Sequence, residues 1–333
     1  MMRNGRITMG DVARAAGVSP MTVSNAYRYP ERVQDATRRR ILEVAADLGY
    51  VPNLAAGSLA AGQSRVIGGA IPSMRNSSFY RYILGMQHAV AEAGYKLVLM
   101  LAEGIEQERQ AVQTLVGLRV EGIVLVGNEH HSDTASLLSK TATPVVESWA
   151  LEDAMDMCVG YDTAEATRAM VRLHASHGRR RIALIVYEGA VSRRFKMRIP
   201  AFEQQMRALG LTPDLVQHVQ ETDGFGAGPR ALDALLQRAP DLDAVICPTD
   251  IIAAGAVFEC GRRGIEVPGR IAVSGWGDYE IASEMTPGLT TIQPNAWEIG
   301  EAAIRMIVQR QRGRPPAEPA TDTGFDILRR ASA

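Results

Sequence analysis

Only three cysteines occur in 333 residues, Cys158, Cys247 and Cys260. They sit far apart and at no paired or metal-ligand spacing, which excludes a disulfide framework or a cysteine-bound zinc and leaves them as small buried hydrophobes. No run of about 18 uncharged apolar residues exists, so no transmembrane helix is expected. Met1 to Gly10 carry no apolar signal core, and the chain reads as soluble and cytoplasmic. The signatures of catalysis are missing too. No Gly-rich dinucleotide fingerprint follows the first apolar run, because Gly68-Gly69 lies inside it. There is no phosphate loop ending in Gly-Lys-Ser/Thr and no Gly-x-Ser-x-Gly elbow. Neither an enzyme, nor catalytic residues, nor a cofactor is expected. His130-His131 is a poor metal candidate, since adjacent side chains rarely converge on one ion; a structural or crevice-polar role is expected for this pair.

What is present is enough apolar residue, 46% of the chain, to bury more than one core, and the length suits two or three domains. Net charge is −1, but it is unevenly spread: residues 1–62 hold eight Arg against five acids, a surplus of three. A positive end on a slightly acidic body suits a polyanionic partner.

The basic segment is punctuated like a helical hairpin. Thr8 and Asp11 stand at capping-box spacing before Val12, Ala13 and Ala16, which starts a short helix. Gly17 ends it in the left-handed conformation, Val18 enters the core, and Ser19-Pro20 supplies an N-cap with proline at the first helical position. The second helix, Pro20 to Tyr27, thus begins about three residues after the first ends, which is helix-turn-helix spacing. Val23 and Ala26 turn inward; Met21, Thr22, Asn25 and Arg28 remain for a groove and its phosphates. A third helix, Gln34 to Leu48, places Ile41, Leu42, Ala45 and Leu48 on one face before Gly49.

The string from Ile7 to Gly62 resembles the headpiece of the lactose-repressor family through Asp11-Val12-Ala13, Ala16-Gly17-Val18-Ser19, Thr22-Val23-Ser24, Thr37-Arg38, Leu48-Gly49-Tyr50-Val51-Pro52-Asn53 and Leu59-Ala60. The resemblance implies an all-α helix-turn-helix headpiece over 1–51 that reads double-stranded operator DNA. Pro20, Met21 and Asn25 would occupy base-reading positions. The family often has Arg where Asn25 stands; Arg favours guanine, whereas Asn pairs bidentately with adenine. Thr8, Ser19, Thr22, Ser24, Arg28 and Arg32 would contact phosphates, with helix capping the competing account of Thr8 and Ser19.

Residues 52–64 would form a hinge helix that folds on DNA, with Asn53, Ala56 and Leu59 at the interface and Leu59 as the minor-groove wedge. Gly57 departs from the larger polar residue usual nearby and weakens such a helix by about 0.5–1 kcal/mol relative to Ala.

After Arg65, apolar runs alternate with helical segments. Strands are predicted at Val66–Ile71, Leu97–Leu101, Gly122–Val126, Val145–Glu147, Ile182–Tyr187, Leu215–Val219, Ala244–Pro248 and Ile271–Ser274. Helices are predicted at Tyr80–Ala93, Glu106–Leu118, Ala164–His177, Met197–Leu209, Arg230–Arg238 and Ile251–Arg263. This alternation means parallel sheets with right-handed crossovers, and periodicity leaves open whether there is one large sheet or two.

The resemblance decides that point: it implies an α/β periplasmic-binding-protein-like core over 65–333 with two Rossmann-like lobes, one of about 65–162 and 294–323, the other of about 163–293 and 324–331. The chain would cross near Asp162, Gln293-Pro294 and Thr323-Gly324. A crevice at the strand C-termini would take a small-molecule effector. By the same match, Phe79, Glu147, Trp149, Arg198, Phe225, Thr249, Asp250 and Asp278 are the effector-binding candidates. Arg198 aligns with the effector-binding arginine, its planar fork suited to a carboxylate or paired hydroxyls; Phe79 suits either a sugar face or the core. The family shows an acid where Gly277 stands, so a hydroxyl-binding carboxylate is missing, and Asp278 or Glu147 is expected to replace it unless the effector is itself acidic.

Glu147-Ser148-Trp149, Met155 to Asp162, Phe258-Glu259-Cys260, Gly264-Ile265 and Gly324-Phe325 are similar to gluconate-utilisation repressors within that family. The resemblance therefore implies a homodimeric repressor on a pseudo-palindromic operator, released by a sugar acid such as gluconate. The rivals are a periplasmic-type sugar-binding protein, which would need an export signal and no headpiece, and a regulator with a neutral sugar as co-repressor.

Overall fold

In a computed structural model, residues 7–51, 64–72, 79–188, 193–314 and 316–333 are described. The chain divides into two compact units, Met1–Ser64 and Arg65–Ala333.

The first unit contains α1 (Met9–Ala16), α2 (Pro20–Arg28), a 3-10 turn at Pro30–Arg32 and α3 (Asp35–Asp47). The capping box forms: the Asp11 amide donates to Thr8 Oγ1 at 3.3 Å and the Thr8 amide donates to Asp11 Oδ2 at 3.0 Å. Gly17 ends α1 at φ 63, and the Thr22 amide donates to the Ser19 N-cap at 3.1 Å. Val12, Ala13, Ala16, Val23, Ala26, Ile41 and Ala45 form one buried cluster, so each helix gives its apolar stripe to a common core.

The second unit contains two six-stranded sheets. The elements in chain order are β1 (Val66–Ile71), α4 (Phe79–Ala93), β2 (Lys96–Leu101), α5 (Ile105–Gly117), β3 (Gly122–Val126), α6 (Ser132–Thr141), β4 (Val145–Ser148), β5 (Met157–Gly160), α7 (Thr163–Ser176) and β6 (Ile182–Tyr187). There follow α8 (Arg193–Lys196), α9 (Arg198–Ala208), β7 (Val216–Val219), a 3-10 segment Glu221–Gly226, α10 (Ala227–Arg238), β8 (Ala244–Ile246), α11 (Asp250–Arg262), β9 (Ala272–Trp276) and α12 (Glu280–Glu284). The chain closes with β10 (Thr290–Pro294), α13 (Ala296–Gln311), β11 (Ala320–Asp322) and β12 (Phe325–Leu328).

The first sheet has the order β11-β5-β4-β3-β1-β2 and the second β12-β10-β9-β8-β6-β7. The pairs are parallel except β10 with β12, which run antiparallel with Ile292 opposite Ile327. Two sheets, rather than one, follow from three passages of the chain: after β5 into α7, after β10 into α13, and between β11 and β12. Helix α13 returns to the first lobe, where it packs on α4. Two glycines make that approach possible, because a Cβ on Gly85 would lie 2.2 Å from the Trp297 carbonyl oxygen and one on Gly300 would lie 2.1 Å from that of Tyr82.

Strands β5, β10, β11 and β12, and helices α6, α8, α12 and α13, are additional to those the apolar runs suggest. Most lack a strong pattern of their own: β11 is three residues, Ala320-Thr321-Asp322, exposed at both ends, and β10 has a single aliphatic residue, Ile292. Helix α13 is different, since Ile299, Ala303 and Ile307 follow the helical period and are all buried.

Candidate nucleic-acid interface and effector crevice

Helix α2 is held by its inner residues, which leaves a polar outer face. Ser19, Pro20 and Met21 are exposed, Met21 to 68%, and Thr22, Ser24 and Asn25 are half-buried. The Ser19 and Thr22 hydroxyls lie 2.8 Å apart, so both sit at the N-terminus of the helix, where the free amides and the dipole favour phosphate. Thr8 is exposed, and its hydroxyl donates to Asp11 Oδ2 at 2.6 Å. These bonds to Thr8 hold the Asp11 carboxyl below the usual carboxylate range. Arg32 is exposed with its guanidinium 4.5 Å from the centre of the Tyr29 ring. Arg39 and Arg40, absent from the candidate contacts, are also exposed on α3, whereas the Arg38 Nε donates to the Ala26 carbonyl at 3.2 Å and ties α3 to α2. Asn53, Ala56, Leu59 and the side chain of Arg28 lie outside the described residues.

In the second unit, the strand C-termini of both lobes carry a chain of aromatic rings. Phe79, at the start of α4, meets Trp149 edge-on at 5.4 Å, and Trp149 meets Tyr161 at 6.3 Å. Tyr161 meets Trp276 at 6.4 Å and accepts the indole N–H of Trp276 on its hydroxyl at 2.8 Å. Trp276 then takes the guanidinium of Arg198 over its ring at 3.5 Å. Phe79, Trp149 and Tyr161 belong to the first lobe, Trp276 and Arg198 to the second. Arg198 is buried, 4% exposed, with its Nη1 donating to the Pro248 carbonyl at 3.2 Å and its guanidinium 4.9 Å from the Phe195 ring. Ring stacking and a fixed fork pre-organise it to meet a planar anion.

Trp149 holds φ 63 and Asp278 φ 49. For a residue as bulky as Trp this is an outlier, and such strain gathers at functional sites. Gly160 makes room for it, since a Cβ there would stand 2.9 Å from the Trp149 carbonyl carbon. Gly277 has φ 124, a backbone shape that L side chains rarely adopt, so a larger residue there would be strained.

Phe79, Trp149 and Arg198 therefore lie along one run of contacts that passes through Tyr161 and Trp276, while Arg198 also reaches the Pro248 carbonyl beside Thr249. Glu147 is fully buried on the α5 face of the first sheet, opposite the Val146 and Ser148 face. Its Oε1 pairs with His130 Nε2 at 2.9 Å, and its Oε2 accepts the Met155 amide at 2.6 Å. His130 Nδ1 in turn meets Glu108 at 2.6 Å. Burial lowers the affinity of His130 for its proton, but the Glu108 and Glu147 hydrogen bonds outweigh it and lift its pKa to about 9. Glu147 is thus the partner of a charged buried histidine, which corrects the expectation that it replaces the missing acid.

Asp278 is held within its own lobe: Arg330 donates to its Oδ1 and Gln293 to its Oδ2, both at 2.7 Å. Asp250 is buried, accepting from the Thr291 hydroxyl at 2.5 Å and the Tyr279 amide at 2.7 Å, and burial raises its pKa to about 6. Thr249 is the half-buried N-cap of α11. Phe225 is 42% exposed and stacks on Phe258 at 6.3 Å. Tyr161 and Trp276, which link the lobes, were not among the candidates; both stand inside conspicuous motifs, Gly160-Tyr161-Asp162 and Gly275-Trp276-Gly277. Among the described residues, His88, Glu92 and Glu301 bring possible ligand atoms within 4.8 Å of one another, and Arg305 already pairs with Glu301 at 3.1 Å. No helix among the described residues is long and apolar enough to cross a membrane.

Comparison with known proteins agrees with this two-part organisation. Residues 8–53 match the profile of bacterial regulatory proteins of the lacI family, and residues 171–333 match the periplasmic binding protein-like domain. The chain is 31% identical to the HTH-type transcriptional regulator GntR of Escherichia coli (strain K12), over 98% of each chain. It is 30% identical to the HTH-type transcriptional regulator IdnR of the same organism, also over 98% of each. Among solved structures, a LacI family transcriptional regulator from Silicibacter pomeroyi superimposes with a TM-score of 0.89 at 28% identity, covering 98% of this chain and 99% of that one. These relatives are transcriptional regulators. With that identity along nearly its whole length and with both units of the family in place, the chain belongs to the lacI family of bacterial regulatory proteins and is a DNA-binding transcriptional repressor.

Proposed function

We propose that the protein is a homodimer whose two headpieces read a pseudo-palindromic operator and whose DNA affinity falls when a sugar acid, gluconate or a close relative, enters the crevice. The observation that carries this reading is Arg198, buried between rings with its guanidinium 3.5 Å over Trp276. Its fork takes the effector carboxylate, and Phe79 and Trp149 offer ring edges and faces to the C–H side of the polyol chain. Gly277 supports an acidic effector as well, since it leaves out a carboxylate that would repel one. The segments similar to gluconate-utilisation repressors point the same way.

Thr8, Ser19, Thr22, Ser24, Arg28 and Arg32 fix the headpiece on phosphates; Pro20, Met21 and Asn25 read base edges; Asn53, Ala56 and Leu59 complete the interface from the hinge. Effector binding selects a lobe arrangement in which the paired headpieces fit the operator less well, and the strength of release equals the ratio of effector affinities for the two states. Calorimetric titration with gluconate and related aldonates, against glucose and galactose, tests the ligand; tight binding of neutral sugars alone overturns it. Operator selection by the purified protein, with and without aldonates, tests the rest: enrichment of a palindrome that fades on adding the aldonate is expected.

A further inference from the structure

The carboxylates considered for the effector's hydroxyls, Glu147, Asp250 and Asp278, have both oxygens engaged or are buried in bonds within their own lobe. Glu129 differs from them. It follows β3 at the strand's C-terminal end, in a loop anchored by the Asn128 side chain, which donates to the Glu152 carbonyl at 2.9 Å. Its Oε1 pairs with Lys196 Nζ at 2.9 Å. Lys196 belongs to the second lobe and stands two residues before Arg198, so this ion pair bridges the lobes beside the arginine. The second oxygen, Oε2, is buried and receives no hydrogen bond among the described residues. A buried acceptor without a donor is costly and rare, and here the orphaned atom stands at the strand ends where effectors of such folds bind.

We propose that Glu129 is the hydroxyl-binding carboxylate of the effector site, its Oε2 accepting a hydrogen bond from the polyol chain while Arg198 holds the opposite, carboxylate end. Lys196 is a positioning residue: it fixes Oε1 and ties the contact to the arrangement in which the two lobes meet. Lys196 occupies one oxygen of Glu129 and the other is left as an acceptor for hydroxyls, so the site offers a cation to one carboxylate and an acceptor to the polyol, which suits a monocarboxylic polyol and disfavours one with acids at both ends. As far as the effector is an acid, this rests on the reading given above.

The test is calorimetric titration of the full-length protein and its Glu129→Gln, Glu129→Ala and Lys196→Met variants with gluconate, glucarate, glucose and sorbitol, alongside thermal melts. Glu129 lies on a loop outside the buried clusters, and the glutamine keeps its shape, so unchanged melting is expected. Loss of a hydrogen bond to a charged acceptor is expected to weaken gluconate binding about tenfold or more in both Glu129 variants. Lys196→Met is expected to lose several-fold. Glu129→Gln is also expected to narrow the preference for gluconate over glucarate, a readout that a purely structural role leaves unmoved. Gluconate affinity equal in the wild type and both Glu129 variants overturns the assignment and leaves the sugar-acid reading intact. Wild-type binding of neutral polyols alone overturns the sugar-acid reading, and Glu129 then stands or falls on whether its variants weaken those. Failure of the wild type to bind any of the four overturns both.

Discussion

The indole N–H of Trp276 donates to the hydroxyl of Tyr161 at 2.8 Å, joining the end of a strand in one lobe to the last residue before the chain leaves the other. Both groups are buried, at 4% and 6% exposure, so neither has water as an alternative partner. Tyr161→Phe removes the acceptor and strands the indole donor, at a cost of about 1–3 kcal/mol. Urea denaturation is expected to show a lower midpoint with an unchanged slope, and an unchanged midpoint would show that the bond is not maintained in solution.

Arg198→Lys keeps the charge and loses the planar group that lies on Trp276 and forks toward a carboxylate. An ammonium is a compact, strongly hydrated point charge and replaces neither interaction. Sugar-acid affinity is expected to fall about tenfold to a hundredfold, in line with the loss of a charge-assisted bidentate contact of roughly 1.5–3 kcal/mol. Operator binding without effector stays as it was. Fluorescence anisotropy on a labelled operator, titrated with gluconate, separates the two: the release curve moves to higher gluconate while its starting affinity does not.

Gly277→Asp restores by sequence the acid usual in the family, but into a backbone at φ 124. The substitution is expected to destabilise the protein by about 1–3 kcal/mol, the range for a side chain held in a sparsely populated region, and to confer no glucose binding. A thermal melt and a glucose titration check both halves; a variant as stable as the parent would mean that the loop rearranges freely.

What the sequence disclosed divides by range. Thr8, Asp11, Gly17 and Ser19-Pro20 act within four residues, so the starts of α1 and α2 were legible without tertiary information. The long apolar strands of the core and the helices between them were legible for the same reason. Ala320-Thr321-Asp322 becomes a strand only because β5, about 160 residues earlier, offers it a parallel edge, and no local period announces that. The site divides in the same way. Arg198 and Phe79 came from motif alignment, but Glu147 and Asp278 look like available acids until their partners His130, Met155, Arg330 and Gln293 are seen. The roles of Tyr161, Trp276 and Glu129 rest on contacts 115 and 67 residues apart in the chain.

Asn25 gives the headpiece a testable base preference. It lies half-buried on the outer side of α2, away from Val23 and Ala26. An amide side chain pairs bidentately with adenine N6 and N7, and arginine with guanine O6 and N7, each worth about 1–3 kcal/mol of discrimination. Asn25→Arg is expected to shift one position in each half-site from A toward G, roughly tenfold or more in relative affinity, with the flanking positions and the salt dependence nearly unchanged. Parallel operator selection with the two proteins checks this, and identical enriched motifs would place Asn25 outside base readout.

Two buried histidines bend the pH–stability curve in opposite directions. His174, bonded through Nε2 to the Ser274 hydroxyl at 2.8 Å, is kept neutral by burial, with its pKa lowered to about 3. Its contribution is present above the unfolded value near 6.5 and is lost as pH falls from there toward 3, because the unfolded chain then binds a proton that the folded one refuses. His130, between Glu108 and Glu147, has its pKa raised to about 9. Its contribution is complete below about 6.5 and fades as pH rises through 9, by roughly 3 kcal/mol in all. Stability from this pair is therefore greatest near pH 6.5. The His130→Gln variant is expected to be less stable there and to lose the decline between pH 7 and 9, as read by urea midpoints across that range; a decline that persists in the variant would assign it to other groups.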